Sequence, residues 1–477
     1  MYDIIIFNDF SRYTSAISYE GKTAGGYKIA NHLRQLGYKV KTIHHLNYLL
    51  SNHKKELFDY LDLHLHPNIK FVGFSKTFMD IQNPELFKEL FKHIDQKGIK
   101  ILIGGWGAST SKLLKYQEVT CLIAGLAESS IEYYLQKNPP IYNKTLKYDI
   151  HGSSYDFHNS NGIFHETDVI AQKEMLPIEL SRGCRFKCKF CSYPLLGRNP
   201  NDLKYIKSEE QMANEFAFNY ANWKTTNYLM MCDTFNETTD KLLTVQRALK
   251  KAKVNINFAS YIRLELLHAH PEQISILRDL GIKSAQFGLE SLHHPSAKAV
   301  GKGLHPDKVL ETLQKCKDVW GSDSILHASF IIGLPYDTPS TVFEWSSKVM
   351  NRQTPLDSWI FKPLVIYQKR NLFQSEFELE SEKYGYTLIN DTGDWKNENW
   401  NYEQTKKIAE YLQQLTTEKQ TKKIFSWGLI GYTTFGYSFE YLSKLFWGTP
   451  EFKKFEIDYS KKRDAFLLNY ANEIFKY

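Results

Sequence analysis

The stretch of sequence that decides the fold reads Ser181-Arg-Gly-Cys-Arg-Phe-Lys-Cys-Lys-Phe-Cys-Ser-Tyr193, here named the cysteine loop. Its cysteines, Cys184, Cys188 and Cys191, follow a C-x3-C-x2-C spacing. Thiolates are the usual ligands of iron-sulfur clusters, and a [4Fe-4S] cube normally takes four of them. A compact set of three therefore predicts a cluster whose fourth iron is left open for a small molecule.

A zinc site is the main alternative for three cysteines so close together. Structural zinc sites usually show two paired sets of ligands, and the sequence has no second pair. The other cysteines, Cys121, Cys232 and Cys316, are scattered singly and mostly stand beside apolar residues. A small buried side chain is the commoner role of such a cysteine, so the spacing favours the iron-sulfur interpretation.

The cysteine loop resembles the signature of the radical SAM enzymes, with Phe190 in the aromatic position just before the last cysteine. Leu176 to Leu180 has the pattern of a strand that leads into the loop, and alternating strands and helices follow it to about residue 370. The resemblance implies a partial (β/α)6 barrel with functional groups at the carboxyl ends of its strands. It also implies S-adenosylmethionine (SAM) as the ligand of the open iron.

The strand ends of this barrel offer the chemical groups that SAM requires. SAM carries an ammonium, a carboxylate, a ribose and an adenine, so it needs an anion, a cation, hydrogen-bonding groups and an apolar shelf. The resemblance implies Asp233 for the amino group, Arg263 for the carboxylate, Glu290 and Ser291 for the ribose, and Phe190, Ile332 and Gly333 for the adenine. The Gly-Gly-Glu motif of the family is absent after the second strand, and the resemblance shifts its role to Asp233.

The first 140 residues alternate between strands and helices of about 10 to 15 residues, which predicts a doubly wound, Rossmann-like parallel sheet. Ligands of such sheets lie beyond the carboxyl ends of the strands. There, Val72 to Ser75, Ile103 to Gly105 and Gly125 to Glu128 resemble, in order, the cobalamin-binding domain of one large radical SAM subgroup. The resemblance implies cobalamin contacts from Ser75, Gly104, Gly105, Trp106, Gly125 and Glu128.

The segment after the first strand departs from one cobalamin pattern. Proteins that bind cobalt from below through histidine carry D-x-H-x-x-G there, whereas this chain has Asp9-Phe-Ser-Arg-Tyr-Thr14. Members of the subgroup that lack the histidine place a non-coordinating side chain under the corrin, a role that the resemblance would give to Trp106. A degenerate domain that serves only as a scaffold or substrate platform is the alternative.

Composition and resemblance together divide the chain into four parts. We expect a cobalamin-binding-like domain over residues 1–140, a polar linker over 141–175, the barrel over 176–370, and a mostly helical cap with the substrate determinants over 371–477. A chain of 477 residues has room for two or three domains. The predicted fold class is α/β with a helical C-terminal extension.

Charge and cysteine usage restrict the compartment and the partners. Six cysteines without a paired framework, and no apolar N-terminal signal, predict a cytoplasmic protein. No apolar run approaches the roughly 20 residues of a membrane span. The net charge of +7 is spread along the chain, which argues against nucleic acid as a partner. We expect a small-molecule or peptide substrate and an external one-electron donor of the flavodoxin or ferredoxin type.

The family resemblance implies an enzyme that cleaves SAM reductively to a 5′-deoxyadenosyl radical and, with cobalamin, methylates an unactivated carbon. A radical SAM enzyme without cobalamin, which catalyses a cyclisation, rearrangement or oxidation, is the first alternative. A tRNA methylthiotransferase is the weaker one. That family has three further ligating cysteines in its N-terminal domain, where this chain has Cys121 alone.

Overall fold

The computed structural model describes residues 1–10, 21–77, 79, 81–105, 116–192, 203–367, 374–390 and 393–476. The chain forms two compact units. The first comprises Met1–Ile178, Asn214–Thr225 and Glu456–Tyr477, and the second comprises Glu179–Ala213 and Thr226–Phe455. The domain borders suggested by the sequence, at residues 140, 175 and 370, stay a prediction.

A parallel sheet with strand order β2-β1-β3-β4-β5-β6 forms the centre of the first unit. Its strands are β1 (Ile4–Phe7), β2 (Val40–Ile43), β3 (Phe71–Ser75), β4 (Ile101–Gly104), β5 (Cys121–Ile123) and β6 (Thr145–Leu146). The helices between them are α1 (Ala24–Gln35), α2 (Leu46–Asn52), α3 (Lys54–His64), α4 (Pro84–Gln96) and α5 (Ala127–Lys137).

The side chains of β1 show why this sheet has helices on both faces. Ile5 and Phe7 pack into one hydrophobic core, whereas Ile4 and Ile6 pack into another on the opposite face. Successive side chains of a strand point to opposite faces, and a parallel strand buried on both faces is apolar throughout. The predicted doubly wound sheet is confirmed.

The second sheet has the strand order β12-β11-β10-β9-β8-β7, and the pairs from β8 to β12 are parallel. Its strands are β7 (Leu176–Ile178), β8 (Asn227–Met230), β9 (Asn257–Ile262), β10 (Ile282–Glu290), β11 (Ile325–Ile332) and β12 (Ser358–Pro363). The helices between them are α6 (Glu209–Trp223), α7 (Thr239–Ala252), α8 (Leu264–Ala269), α9 (Glu272–Leu280), α10 (His294–Ala299), α11 (Pro306–Trp320) and α12 (Pro339–Met350). This sequential order of six strands, with helices between them, confirms the predicted partial barrel.

The C-terminal part of the chain is mostly helical, as the sequence predicts. Its elements are α13 (Glu376–Leu379), the antiparallel pair β13 (Thr387–Leu388) and β14 (Trp395–Lys396), α14 (Tyr402–Glu418), α15 (Ser426–Gly431), α16 (Phe439–Leu442) and α17 (Pro450–Phe475). A capping box starts α14, because the side chains of Asn401 and Gln404 each accept a hydrogen bond from the backbone of the other. Within the described ranges, no helix is both long and apolar enough to cross a membrane.

Candidate functional site

The three cysteines of the cysteine loop lie together at the start of the second sheet. Cys184, Cys188 and Cys191 are not in disulfide bonds, and all three residues are partly exposed. The Cys191 N–H donates to the Cys188 carbonyl at 3.0 Å, so a tight turn holds the last two cysteines. Partly exposed cysteines that follow one another closely on a single loop are suited to bind one metal cofactor together.

Two side chains from neighbouring strand ends contact the sulfur atoms. The Thr234 hydroxyl oxygen lies 3.2 Å from the Cys184 sulfur, and Nη1 of Arg263 donates to the Cys188 sulfur at 3.4 Å. Burial raises the pKa of the Cys184 thiol, while the hydrogen bond with Thr234 acts in the opposite direction. Since a metal ligand must be a thiolate, metal binding at Cys184 would release a proton.

The candidate donor set of the cysteine loop consists of three cysteine thiols. Among the described residues, no three His, Cys, Asp or Glu side chains converge closely enough to hold one metal ion. A four-iron cluster makes a different demand, because each cysteine binds a different iron of the cube. Three cysteine thiols on one loop are the type of ligand that such a cluster takes.

Asp233 follows β8 and contacts the cysteine loop. Its Oδ2 accepts a hydrogen bond from the Gly183 N–H at 2.9 Å, directly before Cys184. Burial raises the pKa of Asp233 to about 6, against the opposing effects of the Gly183 hydrogen bond and the Lys241 cation. The carboxylate therefore helps to order the loop, and its contact with the amino group of SAM stays a prediction.

Arg263 follows β9, and each of its guanidinium nitrogens has a partner. Nη1 donates to the Cys188 sulfur, as described above. Nη2 donates to the Gly301 carbonyl at 2.8 Å, and Nε lies 3.5 Å from a carboxylate oxygen of Glu265. The guanidinium also lies over the Phe186 ring, 4.1 Å from its centroid. Arg263 is thus anchored against the cysteine loop, and a SAM carboxylate would have to share one of its nitrogens.

Glu290 and Ser291 lie at an irregular end of β10. The pairing of β10 with β11 shifts register between Gly288 and Glu290, and Glu290 has a left-handed backbone with φ of 65°. Burial raises the pKa of Glu290 to about 7, although the Lys302 cation opposes the shift. Such backbone conformations in residues other than glycine are uncommon and often mark functional sites.

Ile332 and Gly333, at the end of β11, are covered by the chain itself. Ile332 is fully buried. Gly333 has φ of +97°, and a Cβ there would lie 2.8 Å from the Trp395 ring. Its carbonyl accepts a hydrogen bond from the Tyr386 hydroxyl at 2.8 Å. Phe190 is partly exposed, so it offers a more open surface for the predicted adenine contact than Gly333 does.

The structure therefore brings together only part of the predicted SAM site. Asp233 and Arg263 both reach the cysteine loop, and the charge of Arg263 acts on Glu290. Gly333 packs against residues of the C-terminal part instead, and Ile332 is fully buried. The roles of all these residues toward SAM stay predictions.

The predicted cobalamin residues lie at or just beyond the carboxyl edge of the first sheet, here named the glycine edge: Ser75, Gly104, Gly105, Gly125 and Glu128. Ser75 pairs with Gly104 across β3 and β4, and Glu128 is buried in the first turn of α5. Gly125 has φ of +85°, and a Cβ there would lie 2.1 Å from the Ile150 carbonyl oxygen. The protein's own backbone therefore requires this glycine. Trp106 lies outside the described residues.

A buried polar cluster within the first unit escaped the sequence analysis. Lys22 and Glu174 form an ion pair of 2.6 Å, with side chains 0% and 2% exposed. Burial lowers the pKa of His44 well below its usual range, and the nearby Lys22 cation lowers it further. The Tyr470 hydroxyl accepts a hydrogen bond from the His44 N–H at 2.7 Å. The sequence signal for this cluster is the pair His44 and His45, which directly follows β2.

Residues 178–345 match the Radical SAM superfamily. An uncharacterised methyltransferase of Pyrococcus horikoshii is 25% identical over 170 residues, which make up 34% of each chain. Bacteriochlorophyllide d C-8(2)-methyltransferase of Chlorobaculum tepidum is 26% identical over 147 residues, 30% of this chain and 32% of that protein. The matched segment thus spans about a third of the length of these curated relatives.

Two groups of solved structures share the fold over most of the chain. TsrM from Kitasatospora setae, a radical S-adenosylmethionine methyltransferase, has a TM-score of 0.58 at 13% identity and covers 81% of this chain and 77% of its own. OxsB, a cobalamin-dependent S-adenosylmethionine radical enzyme, has a TM-score of 0.52 at 15% identity and covers 91% of this chain and 66% of its own. At such low identity the likeness shows the fold alone.

Proposed function

Since the chain carries a radical SAM domain, we propose that it is a radical SAM enzyme that methylates an unactivated carbon with the help of cobalamin. The observation that carries the proposal is the cysteine loop, where three partly exposed cysteines follow one another closely and side chains from neighbouring strand ends contact two of the sulfur atoms. When bound, the cluster and SAM would supply a 5′-deoxyadenosyl radical, and cobalamin would supply a methyl group.

The chain's own residues would hold these groups in place. Cys184, Cys188 and Cys191 are the proposed cluster ligands. Arg263 would stabilise the Cys188 thiolate, because a positively charged donor favours the charged form of its partner. Asp233 would order the backbone before Cys184 through Gly183, and its other carboxylate oxygen is proposed for the amino group of SAM.

Cobalamin binding is proposed for the glycine edge. Its residues lie at the carboxyl ends of parallel strands, where ligands of doubly wound sheets bind. TsrM has been solved with cobalamin and a [4Fe-4S] cluster bound, and OxsB with aqua-cobalamin and S-adenosylmethionine bound. These two proteins share the fold with this chain, which supports the same assignment here.

A radical SAM enzyme without cobalamin is the second candidate, and one observation favours it. A Cβ at Gly105 would lie 2.5 Å from the Thr77 hydroxyl oxygen, and a Cβ at Gly125 would collide with Ile150. Internal packing thus accounts for both glycines without a corrin. In either case we propose a small-molecule or peptide substrate, an external one-electron donor, and a cytoplasmic location.

Cofactor content is the first test of the proposal. The protein would be purified without oxygen, reconstituted with iron, sulfide and hydroxocobalamin, and freed of unbound cofactor. We expect about four iron atoms and about one cobalamin per chain, measured by iron analysis, absorption spectroscopy and mass spectrometry. A cluster without cobalamin would favour the second candidate. A protein that takes up no cluster would overturn both.

A further inference from the structure

A buried ion pair contacts the first residue of the cysteine loop. Nζ of Lys241 is 2.8 Å from Oε1 of Glu237, and the two side chains are 0% and 1% exposed. Burying two charges costs free energy, and well-packed apolar residues can often replace such a pair without loss of stability. The pair is therefore a candidate for a role beyond stability, and its remaining contacts identify that role.

Two further hydrogen bonds of Lys241 reach residues near Cys184. Nζ donates to the Ser181 hydroxyl oxygen at 2.5 Å and to the Thr234 carbonyl at 3.1 Å. Ser181 begins the cysteine loop, and the Thr234 hydroxyl lies 3.2 Å from the Cys184 sulfur. One ammonium group thus joins the start of the loop to the strand end that contacts its first cysteine.

Glu237 reaches the same loop by a second route. Its Oε2 accepts a hydrogen bond from the Tyr205 hydroxyl at 3.1 Å, and Tyr205 is almost fully buried. The backbone carbonyl of Tyr205 in turn accepts from the Arg182 N–H at 3.0 Å, beside an antiparallel bridge between Ser181 and Ile206. Both members of the ion pair therefore end on the residues just before Cys184.

We propose that Lys241 and Glu237 are a positioning pair that holds the cysteine loop ready for its cluster and places balanced charge beside it. The proposal rests on the proposed function, because it takes the loop to bind an iron-sulfur cluster. The positions of the ligands depend on the contacts of Lys241 with Ser181 and Thr234. The balance of charge depends on Glu237, and local charge is one determinant of a cluster's reduction potential.

The first experiment uses protein without a cluster and measures alkylation of each cysteine by iodoacetamide with mass spectrometry. In Lys241→Gln, we expect Cys184 to react at least threefold faster than in the wild type, because the shorter neutral side chain no longer joins Ser181 to Thr234. Ser181→Ala, which removes one contact and is the gentler change, should give a smaller increase. The buried Cys316 serves as the internal reference for global unfolding.

A matched control is available in the same unit. Asp357 forms an ion pair of 3.0 Å with Lys423, with side chains 3% and 13% exposed, and its other partners are Lys317 and the Leu326 N–H. Asp357→Asn should leave Cys184 alkylation at the wild-type rate. Equal rates in the wild type, Lys241→Gln and Ser181→Ala would overturn the positioning role, as would an equal increase in Asp357→Asn.

The second experiment measures the midpoint potential of the reconstituted cluster by redox titration followed by electron paramagnetic resonance. Glu237→Gln removes a negative charge and should shift the potential to a more positive value. Lys241→Gln combined with Glu237→Gln restores the balance and should return the potential toward the wild type, although the loop is looser. An unchanged potential in Glu237→Gln would overturn the charge role. A wild-type protein that binds no cluster would refute the proposed function, while the alkylation experiment still tests the positioning.

Discussion

The cysteine loop follows β7 and the glycine edge lies at the carboxyl ends of parallel strands, but the two regions differ in what their residues contribute. The cysteine loop contributes sulfur atoms as candidate ligands, and Thr234 and Arg263 contact two of them. At the glycine edge, Gly105 and Gly125 contribute the absence of a side chain, and the space is taken by the protein's own Thr77 and Ile150. Functional atoms indicate a ligand much more directly than glycines do, because glycines also serve internal packing.

The largest expected effect comes from removing one atom of the cysteine loop. Cys188→Ala should reduce the bound iron to background and abolish formation of 5′-deoxyadenosine from SAM, because the cluster would lose one of its three protein ligands. Iron analysis and liquid chromatography measure the two quantities. Cys316→Ala, at a buried cysteine on α11, is the control and should keep the iron. Continued 5′-deoxyadenosine production by Cys188→Ala would contradict the cluster assignment.

Adding one carbon atom at the glycine edge should affect stability instead. Gly125→Ala forces a left-handed backbone and a collision with Ile150, so we expect a loss of about 4 kcal/mol in the free energy of unfolding. Gly37 has a similar φ of +92° with no atom within 4 Å of an added Cβ, and Gly37→Ala should cost only about 1 kcal/mol. Denaturant unfolding distinguishes them, and equal losses would show that the collision with Ile150 is relieved.

The end of β10 and the glycine edge should also differ in how their contribution to stability depends on pH. Burial raises the pKa of Glu290 to about 7, so between the unfolded pKa near 4.3 and pH 7 the folded protein keeps a proton that the unfolded chain releases. Stability is therefore lost as pH rises through this window, by about 3 kcal/mol. Glu290→Gln should remove that loss, whereas the effect of Gly125→Ala should not depend on pH.

Unfolding of the cluster-free protein at pH 5 and pH 8 measures the contribution of Glu290. Glu344, whose side chain is 72% exposed, offers the matched control. Glu344→Gln should leave the pH dependence as it is in the wild type. If Glu290→Gln keeps the full pH dependence, another buried group, such as Asp337 with a pKa raised by burial to about 7, accounts for it.

The smallest expected effect concerns Arg263. Arg263→Gln removes the charged donor to Cys188 and the predicted partner of the SAM carboxylate. We therefore expect the SAM affinity of the cluster-loaded protein to fall by about 2 kcal/mol. Isothermal titration with SAM measures the affinity, and iron analysis shows whether cluster retention falls too. Arg247→Gln, at an exposed arginine paired with Glu209, should change neither. If SAM affinity stays at the wild-type value while the iron content falls, Arg263 serves only to hold the cysteine loop.

Much of the fold could be predicted from local patterns. The apolar runs of β1, β4 and β11, the turn glycines, and the helical spacing of α14 were all visible in the sequence, and the structure contains these elements. The extent of α17 was less visible, since the sequence predicts only a mostly helical C-terminal part and the structure forms one helix from Pro450 to Phe475. Its charged residues hide the helical period that an apolar stripe would show.

The sequence by itself determined the cysteine loop and the order of strands and helices, because three ligands within eight residues and a repeating apolar period are local properties. Only the tertiary structure decided which side chains surround the sulfurs. Arg263 is 75 residues from Cys188, and Lys241 is 60 residues from Ser181. Such contacts depend on strand register and packing, in which a shift of one residue turns a side chain to the other face of the sheet.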